Sequence, residues 1–273
     1  MNNKFEETDF TIYDTETTGL DQRTGDRIVE IAAIRVRSGQ RLGSFQSFID
    51  PGRPVSPAAF AVNKITPKML SAAPRSAEVL PKFLDFIKGS CLCSYNAGFD
   101  MGFLRNELTL NLLEFPAGID VVDILTMARK LLPGLERYPL LAVSEKLGVK
   151  RKQEHRAMAD VEMALEVFTS LIELMRKKSI LEYRYLIGLF GEKSPPPAGR
   201  DEEKLSLVKA AINGSSALKI KYLSSVNAGI TERRIIPRQI KQDGKCAYLV
   251  GFCCMKNEER TFRIDNILDV KIE

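Results

Sequence analysis

Ile12-Tyr13-Asp14-Thr15-Glu16-Thr17-Thr18-Gly19-Leu20 is the stretch that decides how this chain is read. The residues leading into it, Phe10 to Tyr13, are aromatic or β-branched and predict a strand. Side chains alternate across a strand, so Asp14 and Glu16 fall on one face. Two like charges at that spacing repel and are costly to bury unless a cation neutralises them, which asks for a hard divalent metal. A solvated acidic strand end has the same local sequence, and only distant partners decide between the two.

The clearest partner is the one histidine of the chain, His155, five residues before Asp160 in His155-Arg156-Ala157-Met158-Ala159-Asp160. The residues that follow, Val161 to Phe168, have helical periodicity and place Asp160 in the first turns of a helix. Five helical residues would turn the two side chains about 140° apart, so they converge only if His155 lies on the entering loop. Imidazole suits proton abstraction near neutral pH, although a lone histidine with a structural or surface role reads the same way. A third patch lies between. Cys91 to Tyr95 predicts a short buried strand, and Asn96-Ala97-Gly98-Phe99-Asp100 turns into an amphipathic helix running through Phe103, Leu104 and Leu108. Asn96 is placed as its N-cap and Asp100 in its first turn, where the helix dipole alone also favours an acid.

Together the three patches resemble the DnaQ-like 3′-5′ exonucleases, the proofreading family with an Asp-Glu-Asp-Asp metal set and a histidine. The first motif matches through Asp14, Glu16, Thr17, Gly19 and Leu20, the second through Asn96, Ala97, Phe99 and Asp100, the third through His155, Arg156, Ala157 and Asp160. Arg27 to Val36 resembles the family's second strand, and Asp120 to Arg129 its later strand and helix; Glu30 and Asp123 are read as structural. Tyr95 stands where many members have a histidine, and Asn63-Lys64 where many have histidine and glycine.

The resemblance implies an α/β fold, an RNase H-like mixed five-stranded sheet flanked by helices. It implies a two-metal hydrolase using Mg²⁺ or Mn²⁺, since phosphodiester cleavage needs an activated water and stabilised oxygens, and carboxylates suit hard cations. Asp14, Glu16 and Asp160 would hold the tighter ion, Asp14 would bridge to a second beside Asp100, and His155 would take the proton of the attacking water. Leu20 and Phe103 are candidates to wedge against the last bases, with ordinary core packing as the alternative, and Thr17, Asn63 and Asn96 are further substrate-binding candidates. The expected reaction is release of nucleoside 5′-monophosphates from single-stranded 3′ ends of DNA. A 3′-5′ exoribonuclease, or a nucleotide- or nucleic-acid-binding regulator on a retired nuclease fold, is the alternative.

Composition agrees with this and decides little. The chain has 273 residues, 44% hydrophobic, and a formal net charge of +5, a mild bias toward polyanions. Arg151-Lys152 and Arg176-Lys177-Lys178 are basic clusters that could contact phosphates. Five cysteines without a repeated C-x-x-C spacing and a single histidine argue against a zinc finger and for reduced thiols. The polar start has no signal-peptide core and no apolar run approaches membrane-spanning length, so a cytoplasmic protein without membrane contact is expected.

Gly191 to Arg200, with three consecutive prolines, reads as an exposed linker. The division expected is an exonuclease domain over 1–178, a helix and proline-rich linker over 179–200, and a third part over 201–273. In that last part a short helix precedes alternating runs around Leu218–Tyr222, Arg233–Pro237, Ala247–Phe252 and Arg260–Ile264, with Asp243-Gly244 as a hairpin turn. About 70 residues of short strands predict a small β-barrel. This part resembles a WYL domain, an SH3/Sm-like barrel, although Ala247 replaces the naming tryptophan and Asn266 stands where an arginine is usual. The resemblance implies a nucleotide or nucleic-acid ligand, with Tyr222, Arg234, Tyr248, Arg260 and Arg263 as the residues to contact it. A barrel that only packs or dimerises is the alternative, and a homodimer or a polymerase partner is left open.

Overall fold

The computed structural model describes residues 5–149, 155–192, 200–244 and 246–273. Met1 to Lys4, the basic pair Arg151-Lys152 and the prolines of the linker lie outside the described residues. The chain runs through β1 (Phe10–Thr17), β2 (Ile28–Arg37), β3 (Gln40–Phe48), α1 (Pro57–Asn63), α2 (Pro67–Leu70) and α3 (Ser76–Ile87). It continues with β4 (Cys91–Ser94), α4 (Ala97–Leu110), β5 (Val121–Asp123), α5 (Ile124–Leu131), α6 (Leu140–Lys146), α7 (Ala157–Lys177) and α8 (Tyr183–Phe190). These strands form one sheet of order β3-β2-β1-β4-β5.

Its mixed character follows from the connections. Ser38 and Gly39, with φ of 50° and 79°, turn β2 back onto β3 in a two-residue hairpin. β1 also pairs antiparallel with β2, but reaches its other neighbour β4 only by a crossover through the helices and is parallel to it. β1 is therefore the central strand, and its alternation assigns two faces. Ile12 packs with Ala32, Ile34 and the α7 stripe Ala157, Val161, Ala164, Val167 and Phe168. Tyr13 packs on the opposite face with Phe83 of α3 and Met101 and Leu104 of α4. By the same parity Asp14 and Glu16 point toward α7.

After the linker come α9 (Arg200–Asn213), β6 (Leu218–Leu223), β7 (Ile230–Asp243), β8 (Cys246–Cys253), β9 (Glu258–Arg263) and β10 (Ile267–Ile272). They form an antiparallel sheet of order β10-β6-β7-β8-β9, with α9 burying Val208 and Ala211 against Leu218, Ile220 and Ile235. The last strand lies beside the first, as the barrel expectation requires. The ladder stays open, however: among the described residues β9 and β10 do not pair, so what is observed is a five-stranded antiparallel sheet rather than a closed barrel.

Helix α8 is the seam between the two sheets. Its Tyr185, Leu186, Leu189 and Phe190 share one apolar cluster with α7 on one side and with Leu223, Ala228 and Leu268 on the other. Tyr185 Oη donates to Asp269, and Lys130 Nζ of α5 donates to the Asp265 carbonyl at 3.0 Å. All five cysteines carry free thiols. Among the described residues no helix is long and apolar enough to cross a membrane.

Candidate metal centre and active site

Carboxylate oxygens of Asp14, Glu16 and Asp160 lie within 4.8 Å of one another. Two come from the α7-facing side of β1. The third belongs to the buried stripe of α7, one turn past its start, so packing that helix on β1 delivers Asp160 to the strand end. Burial first, then the charges of Asp100, Glu16 and Asp160, push the Asp14 carboxyl well above the usual carboxylate range. Glu16 is pushed up to about 8 by burial, then by Asp160 and Glu30, against a hydrogen bond with Asn63. Three oxygens that repel one another at this distance, in a partly desolvated pocket, fit a hard divalent cation such as Mg²⁺ or Mn²⁺ and not a thiolate-seeking metal.

Asp100 stands at the edge of this group. Its Oδ1 accepts from Thr15 N at 3.1 Å and Thr15 Oγ1 at 2.7 Å, and its Oδ2 accepts from Ser94 Oγ. Burial raises it to about 6 against those hydrogen bonds. Thr15 points away from Asp14 along β1, so Asp100 is held from the α4 side and reaches Asp14 and Glu16 through its charge. Asn96 is indeed the N-cap residue of α4, but in the left-handed region at φ 71° and without a side-chain cap bond.

His155 is exposed, in the left-handed region at φ 49°, on the turn that enters α7. The entry is anchored by its neighbour. Arg156 donates through Nε and Nη2 to both oxygens of Glu30 at 3.0 Å, and Ala157 N donates to the same carboxylate at 3.3 Å. Glu30 is wholly buried on β2 and sits opposite Glu16 in the ladder. Its structural reading therefore holds in a specific sense, since it fixes the turn bearing His155. A charged residue in the middle of an apolar strand was the signal for it. A second pairing had no such signal: buried Glu107 accepts from Arg27 at 2.6 and 2.8 Å and from Ile28 N at 3.3 Å.

The remaining candidates separate clearly. Leu20 is 84% exposed, so its core-packing alternative is excluded. Phe103 matches its core-packing alternative: it is fully buried, its ring tilted against Phe99 with 4.9 Å between centroids, because its position on α4 faces the sheet. Asn63 is buried too, donating to the Thr17 carbonyl at 3.3 Å and accepting from Ile65 N at 3.1 Å. It reaches the centre only through Glu16. Thr17 is buried and its hydroxyl donates to the Gly19 carbonyl at 2.5 Å. A Cβ at Gly19 would lie 2.2 Å from the Asp26 carboxylate, so any larger residue there displaces the Asp26 side chain. Asp123 caps α5 and binds the Asn96 amide. Tyr95 donates to the Tyr138 carbonyl at 2.6 Å.

In the C-terminal sheet Tyr222 lies on the core side. It is buried edge-on against Phe262, 5.2 Å between centroids, on the face covered by α9. Arg234, Arg260 and Arg263 are paired with Glu273, Glu258 and Asp265 at 2.9, 2.6 and 2.7 Å. Tyr248 is half-buried opposite Arg263 in the β8-β9 ladder.

A mixed five-stranded sheet with an all-carboxylate cluster at the end of its central strand has the architecture of the RNase H-like fold. The family model described as Exonuclease (RNase T) matches residues 11–168, and the WYL domain model matches 203–272. The chain belongs to that exonuclease family and carries a C-terminal WYL domain. It is 35% identical over 281 residues to the PolC-type DNA polymerase III of Thermotoga petrophila, covering 98% of this chain and 19% of that protein. A DNA polymerase III subunit epsilon-like protein of Rhodobacter capsulatus is 34% identical over 178 residues, 64% of this chain and 25% of that one. The chain thus spans only a fifth to a quarter of the length of these relatives. Among solved structures, apo exonuclease I shares the fold with a TM-score of 0.58 at 16% identity, covering 95% of this chain and 63% of that one.

Proposed function

We propose that the chain is a metal-dependent 3′-5′ exonuclease that releases nucleoside 5′-monophosphates from single-stranded 3′ ends of DNA. The observation that carries this is the convergence of Asp14, Glu16 and Asp160 within 4.8 Å. DNA is favoured over RNA because the relatives that align along the chain are named as DNA polymerase III.

Asp14, Glu16 and Asp160 would hold one Mg²⁺ or Mn²⁺, and Asp14 with Asp100 a second, once Asp100 turns from Thr15 and Ser94. Bound there, such ions stabilise charge on the phosphoryl oxygens and acidify water. His155, solvent-facing, takes the proton of the attacking water. The Arg156–Glu30 pair fixes the turn from which it acts, and Leu20, projecting beside the acids, stacks against the terminal base. Arg234, Tyr248, Arg260 and Arg263 are the outward-facing groups from which the C-terminal sheet would contact a nucleotide or nucleic acid. The chain would work in the cytoplasm, either as a homodimer or beside a polymerase.

The test compares 3′-labelled single strands of DNA and RNA with Mg²⁺, Mn²⁺ or EDTA. Mononucleotides should be released from DNA, not at all by Asp14→Ala, and about 10²- to 10⁴-fold more slowly by His155→Ala. A wild-type rate for His155→Ala removes it as the base. Failure to cleave either polymer overturns the enzyme reading in favour of a binding protein.

A further inference from the structure

A cleft of about 570 Å³ separates the C-terminal sheet from the corner of the nuclease sheet where α4 and α5 begin. Its volume is that of a small-molecule or nucleotide site. One wall includes Asn96 and Gly98, at the start of the helix that carries Asp100, and Arg129 of α5; the other includes Ser224, Ser225 and Arg263. The walls are held at a fixed separation by the bridge from Lys130 to Asp265, 3.5 Å between charged atoms, and by the apolar seam along α8.

The charges lining the cleft can be sorted. Asp123 is taken up by the amides of Asn96 and Leu125 and by the Thr126 hydroxyl. Glu192 faces Arg105 at 3.4 Å, and Asp265 is shared by Lys130 and Arg263. Arg129 is exposed and, among the described residues, takes part in no ion pair. Ser224 accepts from Val226 N at 3.3 Å, which leaves its O–H to donate, and the Ser225 side chain is exposed. Asn266, in the same cleft, is the position where an arginine was expected. The guanidinium arrives instead from α5, in the other half of the chain. One uncommitted guanidinium and two hydroxyl donors match a single phosphate by charge-assisted hydrogen bonding, and are too few for a long polyanion.

We propose that this cleft binds one nucleotide phosphate through Arg129, Ser224 and Ser225. The phosphate belongs either to the strand whose 3′ end lies at the acids or to a free nucleoside monophosphate, and only the first source rests on the exonuclease reading. The test uses the full chain in EDTA, with a fluorescent single-stranded DNA 12-mer followed by anisotropy, a dinucleotide and a nucleoside 5′-monophosphate as competitors, and Arg129→Ala and Ser224→Ala/Ser225→Ala as variants. Cys246 lines the cleft and Cys254 does not, and both are partly exposed, so protection of Cys246 alone from a maleimide reports occupancy.

Binding of the 12-mer weakened about tenfold by Arg129→Ala, with dinucleotide binding unchanged and Cys246 protected, supports the strand. Loss of monophosphate binding with 12-mer binding unchanged supports the free nucleotide. Neither probe affected by either variant, or Cys246 unprotected by both, overturns the proposal. Arg129-dependent binding in a chain that hydrolyses nothing with Mg²⁺ or Mn²⁺ leaves the cleft standing and the exonuclease reading fallen; hydrolysis with Arg129-independent binding does the reverse.

Discussion

Replacing Glu16 by Gln should make the metal-free protein more stable at alkaline pH while depriving it of its metal response. Gln keeps the shape and the carbonyl that faces Asn63, and removes one of the three crowded charges. Glu16 is raised from 4.5 to about 8, so between those values the folded state binds a proton that the unfolded state has released. The stabilisation is complete below the lower value and is lost as pH rises through the upper one. At about 1.4 kcal/mol per pH unit the ceiling on the loss is about 5 kcal/mol, and access of water to the open side of the site reduces the measurable part to about 1–3 kcal/mol. Thermal or urea denaturation at pH 5, 6.5 and 8, in EDTA and in excess Mg²⁺, reads it directly. In EDTA the variant should gain on wild type steadily from pH 5 to pH 8. In Mg²⁺ the order should reverse, because wild type gains binding free energy that the variant lacks. A variant that is no more stable than wild type at pH 8 in EDTA would refute the charge crowding on which the metal assignment rests.

The same crowding predicts that Mn²⁺ binding at pH 7 expels about one proton or more, since Glu16 is largely protonated there; calorimetry in two buffers of different ionisation enthalpy should give heats that differ accordingly, and equal heats count against it. Arg156→Met strands the buried Glu30 charge beside Glu16 and should cost about 3–5 kcal/mol, measured by chemical denaturation, with a loss below about 1 kcal/mol removing the anchor role. Phe103→Ala should cost about 3–5 kcal/mol of stability, whereas Leu20→Ala should leave stability within about 0.5 kcal/mol and raise KM for oligonucleotides; the opposite pattern would restore Phe103 as the base-stacking residue.

Strand β1 shows why part of the site was legible in one dimension. Alternation along a strand is fixed by backbone geometry, so Asp14 and Glu16 had to share a face whatever packed on it. Asp160 was legible for a related reason, because the helical periodicity of the residues after it puts it in the first turns of a helix. Phe103 and Tyr222 stayed ambiguous because an aromatic residue on a half-buried element looks the same whether it faces the core or a ligand, and only packing partners, here Phe99 and Phe262, tell the two apart. The open ladder of the C-terminal sheet is a similar case. Four of the five strands and the Asp243-Gly244 turn follow from local chemistry, β10 was not among the runs it shows, and closure depends on whether two edges meet in space.

The sequence by itself determined the strand that carries two acids, the helix that carries the third and the strand-rich C-terminal part, all of which are set by periodicities of two and 3.6 residues. Tertiary structure alone decided which side chains became neighbours across long separations. It joined Arg156 to Glu30, 126 residues apart, turned Asp100 onto Thr15, 85 residues away, and brought Arg129 to one cleft with Ser224 and Ser225. Those juxtapositions depend on how helices α7 and α8 seat against the sheets, a sum of many weak apolar contacts that no single stretch of the chain encodes.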